Sequence, residues 1–328
     1  MLYSDRVYGQ QEITEPIILE LLSSPTLTRL KGVDQYGYFE TYFSGTASSR
    51  FDHSVGVYLL LKQYGAPLAE QIAGLIHDVS HTVFSHCIDY ALVGGNQKEQ
   101  SYQDNSFASF LKGTELPSIM KKYNFDLDYI LDDKNFPLKE ATLPDLCADR
   151  IDYSLRDALK FIGLASLEVQ AILNSLMVEN GRWLFQTRAA AQKYAQLFLN
   201  LNQNYYCGLT SAIVMHSVGD YLKYALEKKY ILPPDLYTTD QAVLKKIAEF
   251  FKTDAHLRLL FNRFGSKVAV KNDPASYDFQ VFCKSRIVDP LFQDGAKVRR
   301  LSEADSDWQK TVRAELKPKE YFLKFAAS

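Results

Sequence analysis

Apolar residues recur at helical spacing over much of the chain, and the period breaks at glycine or proline. In 54–64 they fall at Val55, Tyr58 and Leu59, and in 67–79 at Ile72, Leu75 and Ile76, with Pro67 suited to a first turn; two packed helices are predicted. The same spacing predicts helices at 86–93, 105–113, 144–162, 166–176, 188–203, 209–229 and 240–263, with Pro233-Pro234 ending the run before the last. Between them, Asn180-Gly181 stands between Met177-Val178 and Trp183-Leu184-Phe185, which predicts a type I′ hairpin because both central residues must take positive φ. The first fifty residues read as irregular, with Gly9, Gly32, Gly37 and Gly45 punctuating strand-like pieces such as 38–42 around an apolar stretch at 17–22. From about 267 the period shortens again, in 267–270 and 279–282. The expected architecture is mainly α: a helical bundle with small β-hairpins over 1–230, and a 231–328 segment, helical then mixed α/β, packed on the same body as an appendage.

Composition narrows the partners. With 328 residues and 47% hydrophobic content, the chain has ample material for a core. Lys and Arg number 37 against 39 Asp and Glu, a net charge of −2, so no extended nucleic-acid surface and no attraction to an anionic membrane is expected. An anionic ligand has to be gripped locally. The four cysteines, Cys87, Cys147, Cys207 and Cys283, are too far apart for a CxxC motif, which points to reduced thiols and a cytoplasmic setting. The polar N-terminal stretch and the lack of a long apolar run make secretion and membrane insertion unexpected.

Four of the six histidines, His53, His77, His81 and His86, fall between positions 53 and 86. In the stretch 73–81 (AGLIHDVSH) a His and an Asp stand side by side at the polar end of an apolar helix, where an unpaired carboxylate would be costly to bury. Neighbours on a helix point about 100° apart, so His77 and Asp78 reach one ion only if it lies off the helix end. His53, before the preceding helix, can supply a third ligand. A lone histidine on an apolar helix is ordinarily a hydrogen-bonded core residue; the adjacent pair together with His53 favours a metal instead. Asp149, Tyr153 and Asp157 share one helix face, and the plain alternative for them is a solvated face of Asp–Arg pairs. Mixed imidazole and carboxylate donors suit a divalent ion, with Mn, Fe, Mg, Ni and Zn all open.

Arg50-Phe51-Asp52-His53-Ser54, Leu75-Ile76-His77-Asp78 and the later Asp149 resemble the H…HD…D pattern of the HD-domain metal-dependent phosphohydrolase superfamily. The stretches 4–9 (SDRVYG), 26–30 (TLTRL), 35–37 (QYG) and 80–86 (SHTVFSH) run in the same order as in its dNTP triphosphohydrolase branch, so the resemblance spans roughly residues 3 to 165. It implies the helical HD bundle, with His53, His77, Asp78 and Asp149 as metal ligands. It also implies His81, His86 and Asp89 as the catalytic group beside the scissile phosphate, and Gln35, Tyr153 and Asp157 as contacts to the sugar. Arg50 and Arg150 flank the implied ligands in sequence, and their guanidinium forks suit phosphate oxygens.

Two departures bear on the substrate. The branch carries a basic, histidine-rich helix for the rest of the triphosphate, whereas 205–216 here (YYCGLTSAIVMH) offers only His216. Tyr36 also stands where a smaller apolar residue is usual beside the sugar. The expected function is therefore a metal-dependent phosphohydrolase of a nucleotide or related phosphorylated small molecule, with triphosphate, monophosphate and cyclic substrates open. Two alternatives stand beside it. One is a cyclic-dinucleotide phosphodiesterase in which His81 and His86 serve a second metal; the other is a regulatory HD protein that binds nucleotide without turnover. Tyr321, Phe322 and Phe325 in the tail suit either a homo-oligomer contact or intramolecular packing.

Overall fold

Gly74 sets how closely the first two predicted helices meet. They form as Arg50–Gln63 and Leu68–Ile76, and a Cβ added at Gly74 would lie 2.5 Å from Leu61 Cδ1 and 3.0 Å from Val57 Cγ1. The Ser49 hydroxyl caps the first helix by accepting from Asp52 N–H. Residues of Arg50–Gln63 are buried on almost every side, as in a central helix. Around it lies one apolar core that joins Ile72, Leu75 and Ile76 to Ile151 and Leu155 of the Ala148–Phe161 helix and to Tyr194 and Phe198 of the Arg188–Leu201 helix.

A second core lies on the other side of the 77–87 segment. It joins Val83, Phe84 and Ile88 to Val214, Val218 and Tyr221 of Leu209–Glu227, to Leu257 and Phe264 of Ala255–Phe264, and to Val281 and Leu323 of a small sheet. That sheet is antiparallel, with Lys319–Phe325 between Val270–Asn272 and Phe279–Cys283. The structure is a computed structural model and describes residues 1–326. It is a mainly α bundle with small β-hairpins and a mixed α/β C-terminal part, the class expected from the sequence.

The predicted hairpin forms between Leu176–Glu179 and Arg182–Phe185, with φ of 51° at Asn180 and 69° at Gly181 as a type I′ turn requires. Its second strand also pairs in parallel with Leu291–Asp294, which continues into Lys297–Arg300, so the tail completes a four-stranded sheet begun by the first half.

Helices that the sequence reading did not predict form at Pro16–Ser23, Leu116–Lys122 and Leu127–Leu131, and four expected elements take another form. The 38–42 piece is a 3-10 turn, Phe39–Thr41, because Phe39 is buried and its carbonyl accepts from Tyr42 and Phe43 N–H. The 86–93 helix shortens to Ser85–Cys87 and Ile88–Ala91. The 240–263 run splits into Asp240–Ala248 and Ala255–Phe264, because the Asp254 carboxylate accepts from Leu257 N–H and starts a new helix. The 188–203 helix ends at Leu201 and widens into a π turn, Asn202–Tyr206. All four cysteines are buried and free, and among the described residues no helix is long and apolar enough to cross a membrane.

Candidate metal centre and its cavity

Three segments far apart in sequence meet between the two cores. His53 is held on the second turn of Arg50–Gln63, His77 caps the C-terminal end of Leu68–Ile76, and Asp149 lies in the first turn of Ala148–Phe161. His53 Nε2 is 2.9 Å from Asp149 Oδ1 and 3.2 Å from His77 Nε2, and His77 Nε2 is 3.5 Å from Asp149 Oδ1. These three atoms form a group able to hold a metal ion. Asp78 sits at its edge, with Oδ1 3.4 Å from His77 Nε2 and Oδ2 3.8 Å from His53 Nε2.

Both imidazoles are tied down through their other nitrogen. His77 Nδ1 lies 2.7 Å from the Gly74 carbonyl, and His53 Nδ1 lies 2.8 Å from Asp152 Oδ2. Asp152 also accepts from Arg156 Nε at 2.7 Å and from Tyr8 Oη at 2.9 Å, and Arg156 reaches on to Asp5 at 2.8 Å. Second partners of this kind fix ring orientation at ligating histidines. Asp152 and Arg156 were readable in the sequence only as an i, i+4 ion pair; what makes them relevant is their meeting with His53.

The electrostatics of the group are strongly coupled. Burial opposes a charged His53, yet its hydrogen bonds to the Asp149 and Asp152 carboxylates outweigh it and raise the imidazole to about 10. Burial likewise opposes ionised Asp149 and Asp78. His53 and His77 nonetheless hold Asp149 well below the usual carboxylate range, and Arg50, with His77 and His81, does the same for Asp78.

A cavity of about 720 Å³ opens over this group, and its wall includes His77, Asp78, His81, His86, Asp149 and Tyr153. His81 Nε2 is 3.3 Å from Asp78 Oδ1 while its Nδ1 has no hydrogen-bond partner among the described residues, and burial, reinforced by Arg50, keeps the ring neutral. His86 Nδ1 lies 3.5 Å from Asp89 Oδ2 without hydrogen-bond alignment, and burial lowers His86 to about 4. Asp89 Oδ1 accepts from Tyr102 N–H at 3.1 Å. Gln35 lines the cavity, its buried Oε1 without a partner among the described residues.

Other expected positions are engaged elsewhere. Arg50 lines the cavity, but its guanidinium donates to Asp78 Oδ2 at 2.5 Å, Ser85 Oγ at 2.7 Å and the Gln35 carbonyl at 3.1 Å, so it is not a free phosphate fork. Arg150 donates to the carbonyls of Asp145 and Ala141 and lies 3.7 Å from Glu140. Asp157 is fully buried off the cavity wall, one oxygen taking the Tyr36 hydroxyl and the other the Tyr206 hydroxyl at 2.6 Å. Tyr36 and Tyr206 stand on the wall in its place. His216 packs on Phe279 with ring centroids 4.3 Å apart.

No family model matches the chain. Over 315 residues it is 35% identical to an uncharacterized protein, YdhJ, of Bacillus subtilis, a match spanning 93% of this chain and 95% of that one. Over 178 residues it is 42% identical to the metal-dependent phosphohydrolase cns2 of Cordyceps militaris, 54% of this chain and 50% of that protein. The chain belongs to the HD-domain metal-dependent phosphohydrolase superfamily. A more distant HD relative is the deoxynucleoside triphosphate triphosphohydrolase SAMHD1 of Gallus gallus, 28% identical over 164 residues, 43% of this chain and 26% of that protein. The whole fold is shared with a solved phosphohydrolase from Bacteroides thetaiotaomicron, with a TM-score of 0.72 at 17% identity, covering 100% of both chains.

As an HD protein the chain has two wall residues that its motifs did not announce, Lys284 and Arg286. They come from the C-terminal part, outside the stretch that carries the HD pattern. The alternation of Val281, Cys283, Ser285 and Ile287 with Phe282, Lys284 and Arg286 is the sequence signal that puts the two cations on one side of an extended segment.

Proposed function

We propose that the chain hydrolyses a phosphate ester of a nucleotide or related phosphorylated small molecule, with a divalent ion held by His53, His77, Asp78 and Asp149. The observation that carries this reading is the convergence of His53 Nε2, His77 Nε2 and Asp149 Oδ1, 2.9 to 3.5 Å apart, beside a cavity of about 720 Å³. The donor set fits an ion: each imidazole offers Nε2 while its Nδ1 is held by Asp152 or the Gly74 carbonyl. Mixed nitrogen and oxygen donors suit a borderline-to-hard dication, and Mn, Fe, Mg, Ni and Zn all meet that description. A divalent ion bound there supplies Lewis acidity to a phosphoryl oxygen.

The chain's own residues do the rest. Arg50 holds Asp78 ionised and oriented toward the ligands. Neutral His81, with Nδ1 free, is suited to hydrogen-bond a phosphoryl oxygen. His86, backed by Asp89, is the group placed to exchange a proton at the leaving oxygen. Gln35 Oε1, a buried acceptor without a partner, suits a sugar hydroxyl, and Tyr153 shares that wall. The tyrosine pair over Asp157 argues against a sugar contact at that carboxylate. Four buried free thiols support a reducing, cytoplasmic setting.

The test is metal analysis of the purified protein followed by a panel of nucleotides and phosphoesters assayed with Mn, Mg, Ni and Co, with products identified. Metal-dependent release of phosphate, pyrophosphate or triphosphate is expected. Tight nucleotide binding with every phosphoester left intact would replace hydrolysis with nucleotide sensing.

A further inference from the structure

Five cations line the cavity: Arg50, Lys139, Arg150, Lys284 and Arg286. Three are paired with carboxylates, Arg50 with Asp78, Lys139 with Asp133 and Arg150 with Glu140. Among the described residues, neither Lys284 nor Arg286 has a carboxylate within ion-pair distance. The Arg286 guanidinium rests on neutral acceptors, Gln100 Oε1 at 2.7 Å and the Lys284 carbonyl at 3.2 Å.

These two side chains are presented by a rigid segment. Val281, Cys283, Ser285 and Ile287 alternate inward and are buried, while Lys284 and Arg286 take the other side and reach the cavity. Asn202 of the π turn locks the segment: its Oδ1 accepts from Arg286 N–H at 2.8 Å and its Nδ2 donates to Ser285 Oγ at 2.9 Å. The same turn carries Tyr205 and Tyr206 onto the cavity wall. Arg286 shares the cavity wall with His86 and Tyr153, and its charge acts on both. Two half-buried cations without an ion-pair partner among the described residues, one of which, Lys284, meets Asp104 and Glu99 of the same wall only beyond ion-pair distance, are placed to take an anionic ligand beside the metal-ligand group.

We propose that Lys284 and Arg286 grip the distal phosphates of a substrate carrying a polyphosphate chain, so the C-terminal part supplies the anion clamp that 205–216 lacks. This rests on the phosphohydrolase reading for the position of the reacting phosphate, but the clamp can be read from binding alone.

Inorganic triphosphate is the probe, titrated calorimetrically into full-length metal-loaded protein. The expected result is measurable binding, weakened about tenfold by either Lys284→Gln or Arg286→Gln and further by both, in line with loss of a charge-assisted contact. Lys284→Arg should retain most of the affinity, while metal content and melting temperature stay at wild-type values. Among the described residues the Lys284 ammonium has no hydrogen-bonded partner to lose, so its Gln variant tests the clamp without disturbing the fold. Wild-type affinity in the double variant, or no triphosphate binding by the wild type, overturns the proposal. Loss of binding in the variants together with absent turnover in the wild type would keep the clamp and remove hydrolysis, so the two failures are distinguishable.

Discussion

Asp152 Oδ2 lies 2.8 Å from His53 Nδ1, and the same buried carboxylate is gripped by Arg156 and Tyr8. A residue off the cavity wall thereby decides which nitrogen of His53 faces Asp149. Asp152→Asn should lower metal affinity about 10- to 100-fold, the usual cost of losing such a partner. Competition with a chelator measures it, and unchanged affinity would show that His53 needs no orienting group.

Gly56→Ala offers a test of sign. On propensity alone, alanine in a helix is favoured over glycine by about 1 kcal/mol. Gly56 lies inside Arg50–Gln63, and a Cβ there would overlap Arg156 Nη2 and Asp152 Oδ1. The substitution should therefore destabilise by about 1–3 kcal/mol in denaturant unfolding and weaken metal binding as well. A stabilised variant would mean that the Asp152–Arg156 pair is free to move.

Arg50→Ala removes the counter-ion of a buried carboxylate. Without added metal it should cost about 3–5 kcal/mol, because Asp78 is left charged and unpaired. A divalent ion should recover part of that loss by neutralising the same carboxylate. Unfolding curves in chelator and in Mn²⁺ give the comparison; equal losses in both would separate Asp78 from the ion.

Asp157 makes a prediction in pH. Burial raises its carboxyl from 3.8 to about 7 even though both tyrosine hydroxyls favour its charge. A carboxyl raised in the folded state contributes its stability fully below the unfolded value and loses it as pH rises through the folded one. Asp157→Asn removes that dependence. Wild type should thus lose stability relative to the variant between pH 4 and 7.5, by a few kcal/mol at about 1.4 kcal/mol per unit. Parallel pH profiles would mean that Asp157 is ionised behind Tyr36 and Tyr206.

Loss of the ligands themselves is the simplest check. Asp149→Ala, or the joint His77→Ala and Asp78→Ala variant, should lose bound metal and hydrolysis while far-ultraviolet circular dichroism keeps its helical signature. Full metal occupancy in these variants would remove the assignment.

The helices around His53 and His77 were legible because their apolar period and caps are local. So was the type I′ hairpin at Asn180-Gly181, whose turn chemistry is carried by two residues. The 240–263 run was less so, since a capping Asp254 interrupts a pattern that reads as continuous. Arg50 and Asp157 read as substrate contacts from their positions in the motif order, yet burial turned one toward Asp78 and closed the other behind two tyrosines.

The order of His53, His77, Asp78 and Asp149 along the chain was enough by itself to indicate the superfamily and the class of ion, because donor chemistry is written in residue type and spacing. Which nitrogens face one another, what holds them, and the arrival of Lys284 and Arg286 at the cavity were settled only by the fold. Apart from the local hold of Gly74 on His77, those features depend on contacts between separate segments, from 24 residues apart for His53 and His77 to 96 and 99 for His53 with Asp149 and Asp152, and no local period in a sequence encodes such a meeting.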